Sequence, residues 1–135
     1  MMTPSRSETL PVRESSDISL VRQFVRACAA ELGFGVFDQT RIATAASELG
    51  RNTLIHGGGG TVLIETFVKN DRRGLRLTFE DKGPGIADLE QAMTDGFTTK
   101  GGMGLGLGGS KRLVHEFEIV SRVGEGTRVT VTRWT

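Results

Sequence analysis

Cysteine is nearly absent. Cys28 is the one thiol in 135 residues, so neither a disulfide framework nor a cysteine-rich zinc site is available, and a reducing cytoplasm is the expected compartment. No apolar run approaches the roughly 20 residues of a spanning helix, and residues 1–8 are polar, with no apolar core of a signal peptide. A cytoplasmic protein without a membrane partner is expected. Excess charge is missing too: 17 Lys and Arg against 16 Asp and Glu leave a net +1. That balance supplies no clustered positive field for a phosphate backbone, so no nucleic-acid partner is expected. At 37% hydrophobic residues the chain is not a disordered tail. Its length suits one domain with one core.

What is abundant is glycine, 19 residues of 135, about twice the usual frequency. The glycines cluster at residues 57–60, 83 and 85, 101–109, and 124 and 126. Clusters between periodic segments mark loops where the backbone turns tightly or approaches something closely.

Periodicity places the elements around those clusters. Residues 1–9 read as a flexible tail ahead of a single domain over 10–135, with a short edge strand from Leu10 to Glu14. Ser16 or Asp17 is the expected N-cap of a helix carrying Ile18, Val21, Val25, Cys28 and Leu32 on one stripe, with Gly33 as its stop. Asp38 is the expected N-cap of a second helix, whose stripe is Ile42, Ala45, Ala46, Leu49 and Thr53. Alternation over residues 62–69 and 75–80 predicts two strands, joined by a turn over residues 70–74 in which Gly74 supplies a positive φ. A short helix is expected near Ile86 to Met93, another from about Leu105 to Phe117, and two closing strands over 118–122 and 127–134. The order β-α-α-β-β-α-α-β-β argues for an α+β two-layer sandwich, with helices on one face of a mixed, mostly antiparallel sheet.

Four segments carry chemistry. Glu48, Asn52 and His56 recur every four residues on the second helix, about 6 Å apart per step along one face. A carboxylate and an amide so placed can order a hydroxyl and hold a hard cation through oxygen. Asp81-Lys-Gly83-Pro-Gly85-Ile86 closes a strand, where an acidic side chain can accept from a ligand N–H as the backbone passes close by. Gly104-Leu-Gly106-Leu-Gly108-Gly109 feeds a helix N-terminus, which offers backbone N–H groups to an anion. That run fits G-x-G-x-x-G, but no strand precedes it, as a dinucleotide fold requires. Lys111 follows Ser110, which excludes a Walker A loop. The fourth segment, Gly124-Glu-Gly126-Thr127, joins the last two strands.

In this order and at these spacings, over about residues 15–133, the four segments resemble the N, G1, G2 and G3 boxes of the GHKL (Bergerat-fold) ATP-binding superfamily. Neither a phosphoacceptor-histidine helix pair nor a transducer domain is found in the 135 residues, so a full histidine kinase or gyrase is not expected. Glu48-Leu-Gly-Arg-Asn, Asp95-Gly-Phe-Thr-Thr-Lys-Gly-Gly, Lys111-Arg-Leu-Val-His-Glu-Phe and Gly124-Glu-Gly-Thr are similar to the RsbT-like family of switch serine/threonine kinases in bacterial stressosome modules. The resemblance implies a protein serine/threonine kinase using ATP and Mg²⁺. Its implied substrate is a STAS-domain antagonist, and its implied downstream partner is a phosphatase or other effector. A related alternative is an anti-sigma factor kinase that sequesters a sigma factor.

By the same resemblance Glu48 would be the general base and Asn52 the Mg²⁺ ligand. Asp81, Gly83, Gly85, Ile86 and Thr127 would hold the adenine, and Gly102, Gly104, Leu105 and Gly106 would shape the phosphate lid. Arg51 and Lys100 are further phosphate candidates, and His56 is expected to be structural. Gly108-Gly109-Ser110 departs from the family glycine box.

Overall fold

A computed structural model describes residues 3–93 and 107–135, apart from the side chains of Glu90 and Gln91. Strand β1 (Arg6–Val12) is followed by helices α1 (Ser15–Glu31) and α2 (Val36–Ile55), then by strands β2 (Gly60–Lys69) and β3 (Arg72–Asp81). Two short helices, α3 (Leu89–Ala92) and α4 (Leu107–Arg112), precede β4 (Glu116–Arg122) and β5 (Gly126–Trp134). The strands form one sheet in the order β1-β2-β3-β5-β4. Every pairing in it is antiparallel. The sheet is therefore antiparallel throughout its described strands, not mixed; the hairpins β2–β3 and β4–β5 require this of two of the four pairings.

The core lies between the sheet and the α1–α2 pair. The stripe expected of α2 is buried in full: Ile42, Ala45, Ala46, Leu49 and Thr53 are each at most 2% exposed. Ile42, Ala46 and Leu49 join Leu75, Leu77 and Phe79 of β3 and Val129 and Val131 of β5 in one core cluster. Alternation on β3 has one consequence for the site: Asp81, two residues beyond Phe79, leaves the sheet on this same covered face.

Local signals were read less accurately at the ends of elements. β1 begins at Arg6 rather than Leu10, pairing Arg6 with Thr66 and Thr9 with Leu63. Its first residues are exposed edge positions held by backbone hydrogen bonds, so they carry no hydrophobic alternation to read. Glu14 is the N-cap of α1. Asp17 instead reaches back from the first turn, its Oδ2 accepting from the Arg13 and Glu14 N–H groups at 2.9 and 3.1 Å. Gly33 ends α1 with φ 91°, as expected.

Gly35, not Asp38, is the N-cap of α2. Asp38 is drawn away by arginines: its Oδ1 accepts from Arg133 Nη2 at 2.6 Å and from Arg41 Nη1 at 2.9 Å. The Arg133 hydrogen bond holds its carboxyl below the usual carboxylate range. Arg133 Nη1 also donates to the Leu113 carbonyl at 2.8 Å, tying the segment after α4 to the start of α2. That helix stops at Arg112, short of the expected Phe117, because the chain from Glu116 is taken into the sheet beside β5. Gly108, Gly109 and Ser110 lie within it.

The β2–β3 turn is shorter than expected. Asn70 and Asp71 alone form it, with φ 49° and 68°, the primed geometry that matches strand twist. Gly74 lies inside β3 for another reason. A Cβ there would sit 2.6 Å from Trp134 Cε3, so the absent side chain lets the indole lie flat on the sheet. Trp134 and Phe67 form a small second cluster on the face away from the helices. Arg72 stacks on Trp134 at 5.4 Å, Arg76 stacks on Phe67 at 4.6 Å, and Trp134 Nε1 donates to Glu116 at 2.6 Å.

Gly74→Ala should lower stability by about 1–3 kcal/mol, the usual cost of overpacking. Urea unfolding of Gly74→Ala, Trp134→Ala and the double variant checks this, since removing the indole should make the alanine cheaper and the two losses less than additive.

Candidate functional site

The end of α2 and the end of β3 meet in a contact only glycine permits. A Cβ on Gly57, the second residue after α2, would overlap the Asp81 carboxylate, and one on Gly83 would lie 2.7 Å from Gly57 Cα. Gly57 N–H and His56 N–H both donate to the Asn52 carbonyl, at 3.2 and 3.0 Å, so the last turn of α2 is drawn in tightly here. Asn52 and Asp81 thereby belong to one locus, although 29 positions separate them in sequence.

Each of the two is polar and buried, Asn52 at 5% and Asp81 at 7% exposure, but their surroundings are opposite. Asp81 is supplied with donors: Gly83 N–H reaches its Oδ1 at 2.8 Å, and Thr127 N–H bonds to the same carboxylate. Burial still outweighs these donors and pushes the Asp81 carboxyl above its ordinary value. Asn52 Oδ1 has no hydrogen-bond partner among the described residues. A buried carbonyl acceptor left unpaired costs about 1–3 kcal/mol, and it suits a hard cation, which takes oxygen donors. Glu48, one turn earlier, is half-buried, and Arg51 is exposed.

The far wall comes from the β3 end and the β4–β5 hairpin. Thr127 is the register partner of Asp81, so both side chains leave the sheet on the covered face. Gly85, at φ 77°, is wedged so closely under the Arg122 carbonyl that a Cβ would overlap it. Gly124 N–H donates to the Pro84 carbonyl at 2.8 Å and Ile86 N–H to Ser121 Oγ at 2.8 Å. The structure thus brings together Asn52, Asp81, Gly83, Gly85, Ile86 and Thr127, with Glu48 one turn along α2. Gly102, Gly104, Leu105 and Gly106, and with them Lys100, lie outside the described residues. Two cavities, of about 230 and 470 Å³, meet the end of β3 at Glu80, Asp81 and Lys82, and the smaller also borders Thr127.

Two residues here escaped the sequence reading. Gly57 was legible only as the terminator of a helix; its place directly after the Glu48–Asn52 face was the available signal. Ser121 sits in an ordinary strand pattern, and nothing in its neighbourhood marked it. Among the described residues no three His, Cys, Asp or Glu side chains cluster as a metal site, and no helix is long and apolar enough to cross a membrane.

Residues 37–134 match the family of histidine kinase-, DNA gyrase B- and HSP90-like ATPases. Serine/threonine-protein kinase RsbT of Bacillus subtilis (strain 168) is 48% identical over 118 residues, which cover 87% of this chain and 89% of that protein. Anti-sigma F factor of Thermoanaerobacter sp. (strain X514) is 34% identical over 129 residues, 90% of this chain and 87% of that one. The same fold occurs in the RsbU and RsbW domains of Rv1364c from Mycobacterium tuberculosis, at TM-score 0.64 and 23% identity; the match covers 97% of this chain and 33% of that one. It occurs also in the catalytic domain of histidine kinase ThkA, at TM-score 0.54 and 18% identity, covering 93% of this chain and 95% of that one. The chain belongs to the histidine kinase-, gyrase B- and HSP90-like ATPases, the GHKL superfamily, and within it to the RsbT-like kinases.

The raised carboxyl of Asp81 sets a sign for the pH dependence of stability. An acid whose folded pKa is raised stabilises fully below its unfolded pKa, near 3.8, and loses that contribution as pH rises through the folded value. Asp81→Asn should therefore gain relative to the wild type as pH climbs from about 3 into the neutral range. Denaturant midpoints of the two proteins measured in parallel across that range test it; a constant difference refutes it.

Proposed function

We propose that the protein is an ATP- and Mg²⁺-dependent protein serine/threonine kinase of a bacterial partner-switching stress module, working in the cytoplasm. It phosphorylates a STAS-domain antagonist, and once released it binds and activates a downstream effector such as a phosphatase. The observation that carries this reading is the buried Asn52 Oδ1, without a partner among the described residues, one helical turn from Glu48, on the helix whose end is packed against Asp81.

The residues divide the work. Glu48 accepts the proton of the acceptor Ser or Thr hydroxyl as that oxygen attacks the γ-phosphorus, and the bond from the γ-phosphorus to the β,γ-bridging oxygen breaks to release ADP. Asn52 would hold Mg²⁺ through Oδ1, and the ion would neutralise charge on the phosphates. Asp81 accepts from the adenine amino group, while Gly83 and Gly85 keep the backbone low enough for the base to lie beside it. Ile86 and Thr127 complete the adenine wall. By the family resemblance, Gly102, Gly104, Leu105 and Gly106 shape the phosphate lid. Phosphoryl transfer asks chiefly for positioning and charge neutralisation, which this set supplies with one base. Phosphorylating the antagonist places charge at a packed interface and expels it.

The second reading, an anti-sigma factor that acts by sequestering a sigma factor, is supported by the 34% identity to an anti-sigma F factor over nearly the whole chain. The same nucleotide site serves both.

Radiolabelled ATP with Mg²⁺ and STAS-domain proteins encoded beside this one should place label on Ser or Thr of one of them. Glu48→Ala should cut the rate by about 10²–10⁴ while ATP still binds, as loss of a general base does; Asp81→Asn should raise the ATP concentration required. ATP binding without transfer to any STAS protein would reject the switch-kinase reading, and capture of a sigma factor would install the second.

A further inference from the structure

Ser121 of β4 makes three short polar contacts with one hydroxyl proton to share. Its Oγ accepts from Ile86 N–H at 2.8 Å, lies 3.1 Å from the Gly126 carbonyl oxygen, and lies 2.8 Å from Thr127 Oγ1. The carbonyl cannot donate, so the 3.1 Å contact is a hydrogen bond only if Ser121 gives its proton to it. The 2.8 Å contact between the two hydroxyls then needs the Thr127 proton. The reverse assignment, Ser121 donating to Thr127, leaves two oxygens facing each other across 3.1 Å with no hydrogen between them. One arrangement gives every contact a proton, and in it the Thr127 O–H is committed to Ser121.

The consequence reaches the nucleotide wall. Thr127 Oγ1, its proton turned away, can offer only lone pairs elsewhere. Its register partner Asp81 offers only lone pairs too when ionised, and both side chains leave the sheet on the same face. We propose that Ser121 is a specificity-determining residue: by fixing the proton direction of Thr127 it makes this wall acceptor-only, selecting a purine that presents an amino group over one that presents a carbonyl at the same position. This inference rests on the nucleotide-site reading above and extends it to a residue that does not itself line the base. A freely rotating Thr127 hydroxyl would turn and donate to a carbonyl; Ser121 removes that option. Ser121 is a positioning residue in this role, acting on the ligand through Thr127.

Calorimetric titration of the full chain with Mg²⁺ and either ATP or inosine triphosphate tests it, because the two differ in carrying an amino or an oxo group at the purine 6-position. The wild type should prefer ATP. Ser121→Ala frees the Thr127 proton, and the ATP-to-ITP affinity ratio should fall about tenfold, the worth of one mispaired buried group. Affinity for ITP should rise while that for ATP changes little, since the freed hydroxyl can still accept from an amino group. Simple structural damage would weaken both together and leave the ratio alone. Ser121→Thr keeps the hydroxyl and should restore the wild-type ratio; Thr127→Val should lower it as Ser121→Ala does. An unchanged ratio in a folded Ser121→Ala protein overturns the proposal, as does a wild type that binds both nucleotides equally. Failure of the wild type to bind either nucleotide would instead overturn the functional reading on which the proposal stands.

Discussion

The burial of one carboxylate, that of Asp81, is the constraint on which the rest of the site depends. β3 alternates Leu75, Leu77 and Phe79 into the core and then places an acidic side chain on the same face. A charged group there is costly unless donors surround it. Gly83 and Thr127 supply backbone N–H groups, and the close approach of Gly57 leaves room for no side chain beside it. The end of α2, the turn after β3 and the start of β5 are therefore fitted to one another around this carboxylate. A Cβ at Gly57 or Gly83 would force them apart.

Asn52 shows the same physics with the opposite sign. Buried carbonyl acceptors are nearly always paired, yet its Oδ1 has no partner among the described residues. A carboxylate well supplied with donors at one end and an orphaned acceptor at the other describe a site with two kinds of demand.

Much of the fold was legible because it follows from apolar spacing. The stripes of α1 and α2, the β2–β3 hairpin and β5 read directly from periods of 3.6 and 2. Three of the misreadings share a cause: the outcome was settled by a partner far away in the chain. Arg6 to Thr9 became strand because β2 offered its edge. Asp38 left the capping role because Arg133, 95 positions on, took its oxygen. Gly74 is a glycine because Trp134 lies on it, not because a turn needs it.

The site divides in the same way. Glu48, Asn52, Asp81, Gly83, Gly85 and Thr127 could be picked out from residue type, spacing and family resemblance, since helical period and strand ends are local properties that a sequence states outright. The sequence by itself therefore determined the layers, the antiparallel hairpins and the inventory of chemical groups. Tertiary structure alone decided which groups would touch: that Gly57 abuts Asp81, that Asn52 Oδ1 is buried with no partner among the described residues, and that the Ser121 and Thr127 hydroxyls meet at 2.8 Å. Hydrogen-bond direction and burial depend on atoms brought together from distant positions, and those are settled only when the sheet closes its register against the helices.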